Sequence, residues 1–188
     1  MCLGRLAVAP YFRVRFKDFF LGDQLMSLMY YFRNLGIQFH LLGGNLSWIG
    51  IVSSLLPGYF RLVQSFRRYY DSKMTFPHLF NALKYGLSML ATLLSVYRST
   101  STSLKVIFVL VQTSYSFYAL YWDFVMDFGF TQRSQFIYAK PFYIIITILN
   151  ILLRFLWITA LFDISVYQVF VAGCFEVFRR CYVEFCSC

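Results

Sequence analysis

Residues Pro141–Phe162 read PFYIIITILNILLRFLWITALF, a run in which Arg154 is the sole charged residue. About 20 apolar residues in a helix cross the hydrocarbon of a bilayer, so this stretch is long enough to span one. The composition says that lipid is the solvent. Hydrophobic residues make up 60% of the 188-residue chain, aromatic residues 22% and charged residues only 13%. Globular domains carry about 25% charged residues, and a soluble domain of this size cannot hide so much apolar surface. An ordinary soluble enzyme, a disordered chain and a disulfide-stapled mini-protein are excluded. The expected fold class is all-α, a polytopic transmembrane helical bundle of about six spans.

Five further stretches read in the same way: Gly22–Leu42, Leu46–Phe66, Pro77–Tyr97, Leu104–Trp122 and Ile164–Phe185. Gly43-Gly44-Asn45, Tyr69–Phe76, Arg98–Ser103 and Phe124–Lys140 are the expected connections. Pro77 and Pro141 stand at helix starts, where a missing N–H costs nothing. Pro57 falls inside a span and is expected to kink or unwind it. Residues 1–15 read as a cytoplasmic segment and 16–188 as the transmembrane domain. Arg5, Arg13, Arg15, Lys17, Arg67, Arg68, Lys73, Arg133, Lys140, Arg179 and Arg180 fall on the side of the termini, and only Arg98 and Lys105 on the other. The positive-inside rule then places both termini in the cytoplasm.

The net charge is +9, from 17 Lys/Arg against 8 Asp/Glu. The basic residues lie between or inside apolar runs rather than on one polar face, which sets nucleic acid aside as a partner. The five cysteines and two histidines show no metal-site spacing, and no nucleophile–base set or Gly-rich phosphate loop is present. No enzyme activity, metal or cofactor is expected. What stands out is charge inside the spans, which costs several kcal/mol and usually faces a partner or a water-filled path. Arg154 shares a helical face with Asn150 and Trp157, and Lys84 shares a polar stripe with Asn81, Ser88 and Thr92. Glu176, Arg179 and Arg180 are spaced i, i+3, i+4, and Asp123 and Asp127 are spaced i, i+4. Asp23 opens the first span, and Arg61 follows Pro57 with Gln64 three residues on. Arg33 reads as a snorkelling or paired residue. Guanidinium groups suit bidentate capture of oxyanions, and a corridor lined in this way favours an anion passing between weak, serial sites.

Several motifs carry a family resemblance. Phe16-Lys17-Asp18-Phe19-Phe20-Leu21-Gly22-Asp23-Gln24-Leu25 resembles the opening of the EXS domain of eukaryotic SPX–EXS phosphate exporters. Similar in the same order are Arg67-Arg68-Tyr69-Tyr70-Asp71-Ser72-Lys73, Phe76-Pro77-His78-Leu79 with Asn81-Ala82-Leu83-Lys84-Tyr85, and Trp122-Asp123 with Met126-Asp127-Phe128-Gly129. Leu153-Arg154-Phe155-Leu156-Trp157 and Glu176-Val177-Phe178-Arg179-Arg180 complete the set. The resemblance implies a helical bundle that exports inorganic phosphate. It implies that Lys84, Arg154, Arg179 and Arg180 line the path together with Arg61, that Asp23, Tyr85, Asp123, Asp127 and Glu176 support it, and that Trp157 acts near the gate. Met26 stands where the family often has Asn, and the residues after Arg180 depart from the usual tail.

The sequence-level expectation is therefore a multi-pass phosphate exporter of the plasma membrane or Golgi. Inorganic phosphate and membrane lipid are its partners, with a homodimer or a partner chain supplying further spans. Two alternatives stand beside it: an EXS-only Golgi protein for retention, sorting or phosphate recycling without transport of its own, and an inactive fragment of an exporter.

Overall fold

Helix periodicity and capping account for most of what the chain builds. The computed structural model describes residues 11, 14–29, 31–32, 47–127, 140–161, 171 and 173–179, and no strand occurs among them. Helix α1 (Phe16–Ser27) starts after Arg15, whose backbone N–H donates to the Asp18 carboxylate at 3.0 Å. This is the returning half of a capping box, and it places an acid in the first turn, where the helix dipole favours it. Helix α2 (Ser47–Ser72) and helix α3 (Thr75–Tyr97) form a tightly joined pair, with α1 packed on α2. The joint is two residues long. Lys73 takes φ 58° and donates its N–H to the Tyr69 carbonyl at 2.7 Å. A side chain in this left-handed conformation costs about 1 kcal/mol relative to glycine.

Helix α4 (Thr102–Trp122) leads into a π-helical turn, Asp123–Asp127. Helix α5 (Lys140–Arg154) is followed by a 3₁₀ segment, Leu156–Leu161, and residues 173–179 are helical. The chain divides into two compact units, Met1–Tyr115 and Ser116–Cys188, and the division falls within α4.

The fold class is all-α, a helical bundle of membrane type. Thr75–Tyr97 and Thr102–Met126 are long and apolar enough to cross a bilayer, and only 22% of the most apolar window of each is buried. A core helix of a soluble protein would be mostly covered. A shorter apolar helical stretch, Tyr143–Thr159, joins them. In α5 the usual polarity is inverted. Tyr143, Ile146 and Asn150 lie on the buried side, while Ile144, Ile145, Ile148 and Leu152 are exposed. Polar groups inside and aliphatic groups outside are what a hydrocarbon solvent selects.

Four sequence expectations change in detail. Helix α2 runs to Ser72, so Arg67 and Arg68 are helical and the turn shrinks to Lys73–Met74. Pro57 neither unwinds nor ends it. The proline is fully buried within continuous helix, and the hydroxyls of Ser53 and Ser54 donate to the carbonyls of Gly50 (3.2 Å) and Ile51 (2.8 Å) in the preceding turn. The carbonyl that Pro57 leaves without a helical donor is that of Ser53, four residues earlier, so these hydroxyls do not replace the lost bond. The fifth span is not one helix, because α-helix stops at Arg154. The first expected span is not one helix from Gly22 either, since α1 begins at Phe16 and closes at Ser27. Residues 1–10, 12–13 and 33–46, including Arg33, lie outside the described residues, as do 128–139, 162–170 and 180–188 with Arg133 and Arg180.

Two glycines set how closely elements approach. A Cβ at Gly22 would stand 2.6 Å from Arg61 Cδ and 3.2 Å from Gln64 Oε1. A Cβ at Gly58 would meet Met89 Cγ at 2.7 Å. The arginine is pinned by hydrogen bonds, whereas the thioether chain of Met89 is adaptable. Gly22→Ala is therefore expected to cost about 1–3 kcal/mol, as overpacking does, and Gly58→Ala clearly less. Thermal unfolding of the two variants in detergent should show the larger drop in Tm for Gly22→Ala.

Candidate functional site

An arginine in an apolar medium must find a carboxylate or leave the site, and each unit holds one such arrangement. In the second unit the centre is Asp123, the first residue of the π-helical turn and almost fully buried. Its Oδ2 accepts from Asn150 Nδ2 at 2.9 Å and from an Nη atom of Arg154, and it lies 3.6 Å from Arg179 Nη1. Asn150, at 0% exposure, bridges the group. Its amide nitrogen serves Asp123 while its oxygen accepts from Arg179 Nη1 at 3.1 Å. Arg179 is fixed from the far side by Glu176, whose two oxygens accept from Nε (2.8 Å) and Nη2 (2.6 Å) in a bidentate pair.

The local backbone explains why these groups meet. Asn150 and Arg154 are one helical turn apart on α5 and share the buried face with Tyr143 and Thr147. Arg154 is the last residue of α5, where a cation is favoured by the helix dipole. The two departures from α-helix in this unit, the π-turn at Asp123 and the 3₁₀ segment after Arg154, flank the same ion pair. Such irregularities are frequent at functional sites. Beyond Arg154, Trp157 Nε1 donates to the fully buried Ser116 Oγ at 3.1 Å, and Phe155 packs edge-on against Phe117 with ring centroids 5.5 Å apart. The arrangement leaves one donor over: the Nε–H of Arg154 is buried and has no hydrogen-bond partner among the described residues, as is true of Thr147 Oγ1 on the same face.

In the first unit the centre is Arg61, 2% exposed. Its Nε lies 3.0 Å from Asp23 Oδ1 and donates to the Tyr85 hydroxyl at 2.9 Å, and that hydroxyl donates onward to Asp23 at 3.3 Å. Nη1 of Arg61 donates to Gln64 Oε1 at 3.0 Å, and Gln64 Nε2 reaches the Asp18 carbonyl of α1 at 3.0 Å. Lys84 is half-buried, with its ammonium 5.2 Å from the Tyr85 ring centroid. Gly22 has no side chain because Arg61 passes across it.

Comparison with known proteins is decisive about kinship. A family model described as EXS family matches residues 1–186. The chain belongs to the EXS family. It is 29% identical to the zebrafish "Xenotropic and polytropic retrovirus receptor 1 homolog" (Danio rerio) over 82% of this chain and 28% of that protein. It is 38% identical to the yeast "Protein SYG1" (Saccharomyces cerevisiae) over 70% of this chain and 16% of that protein. It is 29% identical to the mouse "Solute carrier family 53 member 1" (Mus musculus) over 95% of this chain and 32% of that protein. The chain thus spans less than a third of the length of these relatives, and it is a membrane protein of their kind.

Within this EXS chain the structure gathers Asp123, Arg154, Arg179 and Glu176 in one unit and Asp23, Arg61, Tyr85 and Lys84 in the other. Arg180 and the Asp127 side chain lie outside the described residues. Reading the sequence missed Gln64 as the link from Arg61 to α1, Asn150 as the bridge between Asp123 and Arg179, and Ser116 as the partner of Trp157. A buried polar residue on an otherwise apolar face was the available signal for Asn150 and Ser116. On the stripe that carries Lys84, Thr92 donates to the Ser88 carbonyl at 2.9 Å.

Removing one member of a buried ion pair costs about 3–5 kcal/mol because the other charge is stranded, whereas losing a hydroxyl bonded to charged groups, as Tyr85 is to Arg61 and Asp23, costs about 1.5–3 kcal/mol. Asp123→Asn is therefore expected to destabilise the protein more than Tyr85→Phe. Thermal unfolding in detergent checks the order, and equal losses would show that Asp123 is not the charge that holds Arg154 and Arg179.

Proposed function

We propose that this EXS chain carries inorganic phosphate across a membrane and performs no covalent chemistry on it. The motif resemblance and the kinship with a protein named as a solute carrier support the reading. The single observation that carries it is the buried Nε–H of Arg154 without a partner, on a guanidinium whose other arm is held by Asp123. An unsatisfied buried donor costs about 1–3 kcal/mol, and a tetrahedral oxyanion relieves that cost by offering an oxygen. Phosphate then competes with Asp123 for Arg154 and Arg179, and Asn150 steadies Arg179 and Asp123 while the partner changes. The carboxylates make the exchange reversible, because an anion held only by free arginines would not leave.

In the same reading Arg180 adds a further cation, Asp127 and Glu176 orient the arginines, and Trp157 released from Ser116 opens the way past Arg154. Arg61, Asp23, Tyr85 and Lys84 serve the anion in the first unit. Both termini face the cytoplasm, net movement is export, and the membrane is the plasma membrane or the Golgi. A second copy or a partner chain completes the assembly.

The neutralisation of Arg154 and Arg179 by Asp123 and Glu176 also favours a second reading, in which the pairs only hold helices together and the protein retains or sorts other membrane proteins. Radiolabelled phosphate flux from proteoliposomes separates the two. Arg154→Ala is expected to lower flux at least tenfold, and Arg154→Lys to recover little, since lysine lacks the planar fork. Ile145→Val, on the exposed face of α5, should leave flux unchanged. Flux in Arg154→Ala equal to that of the unaltered chain rejects the transport role of this residue.

A further inference from the structure

The buried face of α5 holds a polar group that the transport reading leaves without a task. We infer that the Thr147 hydroxyl is a further contact for the transported anion, holding phosphate on the cytoplasmic side of Arg154 before the guanidinium takes it. This assignment rests on the proposed transport of phosphate and adds a station to it.

Thr147 lies on one stripe of α5 with Tyr143, Asn150 and Arg154. At 3.6 residues per turn the four fall within about 60° of arc. Tyr143 and Asn150 are buried, and so is the Thr147 Oγ1 atom. A hydroxyl inside a helix ordinarily bonds to a carbonyl of the preceding turn. Ser65 does so with the Arg61 carbonyl at 2.9 Å, and Thr92 with the Ser88 carbonyl at 2.9 Å. Thr147 does not. Its Oγ1 bonds to no carbonyl of its own helix and to no other group among the described residues. Such a hydroxyl weakens the fold. Valine has the same branched shape without that cost, and aliphatic side chains fill the other face of this helix at Ile144, Ile145 and Ile148.

The Nε–H of Arg154 is the other buried donor without a partner on this stripe. Side chains on a helix lean toward its N-terminus. The Arg154 guanidinium accordingly reaches back to the level of Asn150, and both groups donate to the same oxygen of Asp123. Thr147 is the next position along the stripe, so an anion passing from its hydroxyl to the guanidinium moves about one turn. Lys140, at the start of α5, lies on the cytoplasmic side in the topology proposed above, and an exported ion meets Thr147 first. The hydroxyl can donate to a phosphate oxygen and accept from a P–OH group. It carries no charge, so it holds the anion weakly, as serial conduction requires.

The test uses the full chain, reconstituted for radiolabelled phosphate flux and purified in detergent for melting with and without inorganic phosphate. A hydrogen bond to a charged group is worth about tenfold or more in affinity. Thr147→Val should therefore need about tenfold more phosphate for half-maximal flux, and for half of the phosphate-induced rise in Tm. Without phosphate it should melt about 2–4 °C above the unaltered chain, because a buried donor without a partner is gone. Thr147→Ser, which keeps the hydroxyl, should bring half-saturation back toward that of the unaltered chain. Thr147→Ala serves where the valine variant does not fold. An unchanged half-saturating concentration in the variants without the hydroxyl overturns the inference. A hydroxyl that only braced the helix would give that result, with a lower Tm. If the unaltered chain shows the melting response but no flux, transport is rejected, and a response weakened in Thr147→Val upholds the contact. Neither flux nor a melting response in the unaltered chain rejects both.

Discussion

A carboxylate facing two guanidinium groups in a medium that solvates none of them governs the second unit. Asp123 accepts from Arg154 and Asn150 and lies beside Arg179, while Glu176 holds Arg179 from the other side. Among these four charged residues the signs cancel, which is why arginines stand on helices whose outer faces are isoleucine and leucine. The pairs are weak as a source of net stability, since desolvation offsets most of the attraction. Their effect is on geometry. Each charge can be satisfied only in one arrangement, so the helices that bear them take that arrangement. The π-turn begins at Asp123 and α-helix ends at Arg154, so regular helix is interrupted at both partners of the pair.

The first unit meets the demand with different parts. Arg61 pairs with the Asp23 carboxylate and also bonds the neutral oxygens of Tyr85 and Gln64. Neutral partners allow a guanidinium to stay buried with less opposing charge. The consequence is steric: a long side chain crossing the face of α1 needs a residue without a Cβ beneath it, and Gly22 is that residue. Chemistry at Arg61 thus fixes an amino acid in a helix that carries no cation of its own at that point.

Which residues matter was legible in the sequence, because a charge in an apolar run is conspicuous wherever it falls. Arg61, Lys84, Arg154, Arg179, Asp23, Asp123 and Glu176 could all be singled out by that signal. Local spacing also disclosed the Glu176–Arg179 pair and the shared face of Asn150 and Arg154, since helical period alone brings those together. Partnership over long separation was not legible. Nothing in the sequence says that Arg154 belongs to Asp123, or Arg61 to Asp23, because pairing across helices depends on rotation and depth rather than on spacing along one helix. Helix ends were misread for the same reason. Pro57 reads as a kink or a local unwinding, yet α2 is continuous helix through it, whereas Arg154 reads as mid-span and is where α5 stops.

The 31 residues that separate Arg154 from Asp123 have a meaning for biogenesis. The ribosome adds roughly 5–20 residues each second, so the acid emerges seconds before its arginine. A lone arginine costs the translocon up to about 2.5–3.5 kcal/mol, the value at the centre of a helix. Helix α5 therefore enters lipid at lowest cost when the segment bearing Asp123 is still at hand, and the order of synthesis, acid first and base second, lets the earlier helix receive the later one.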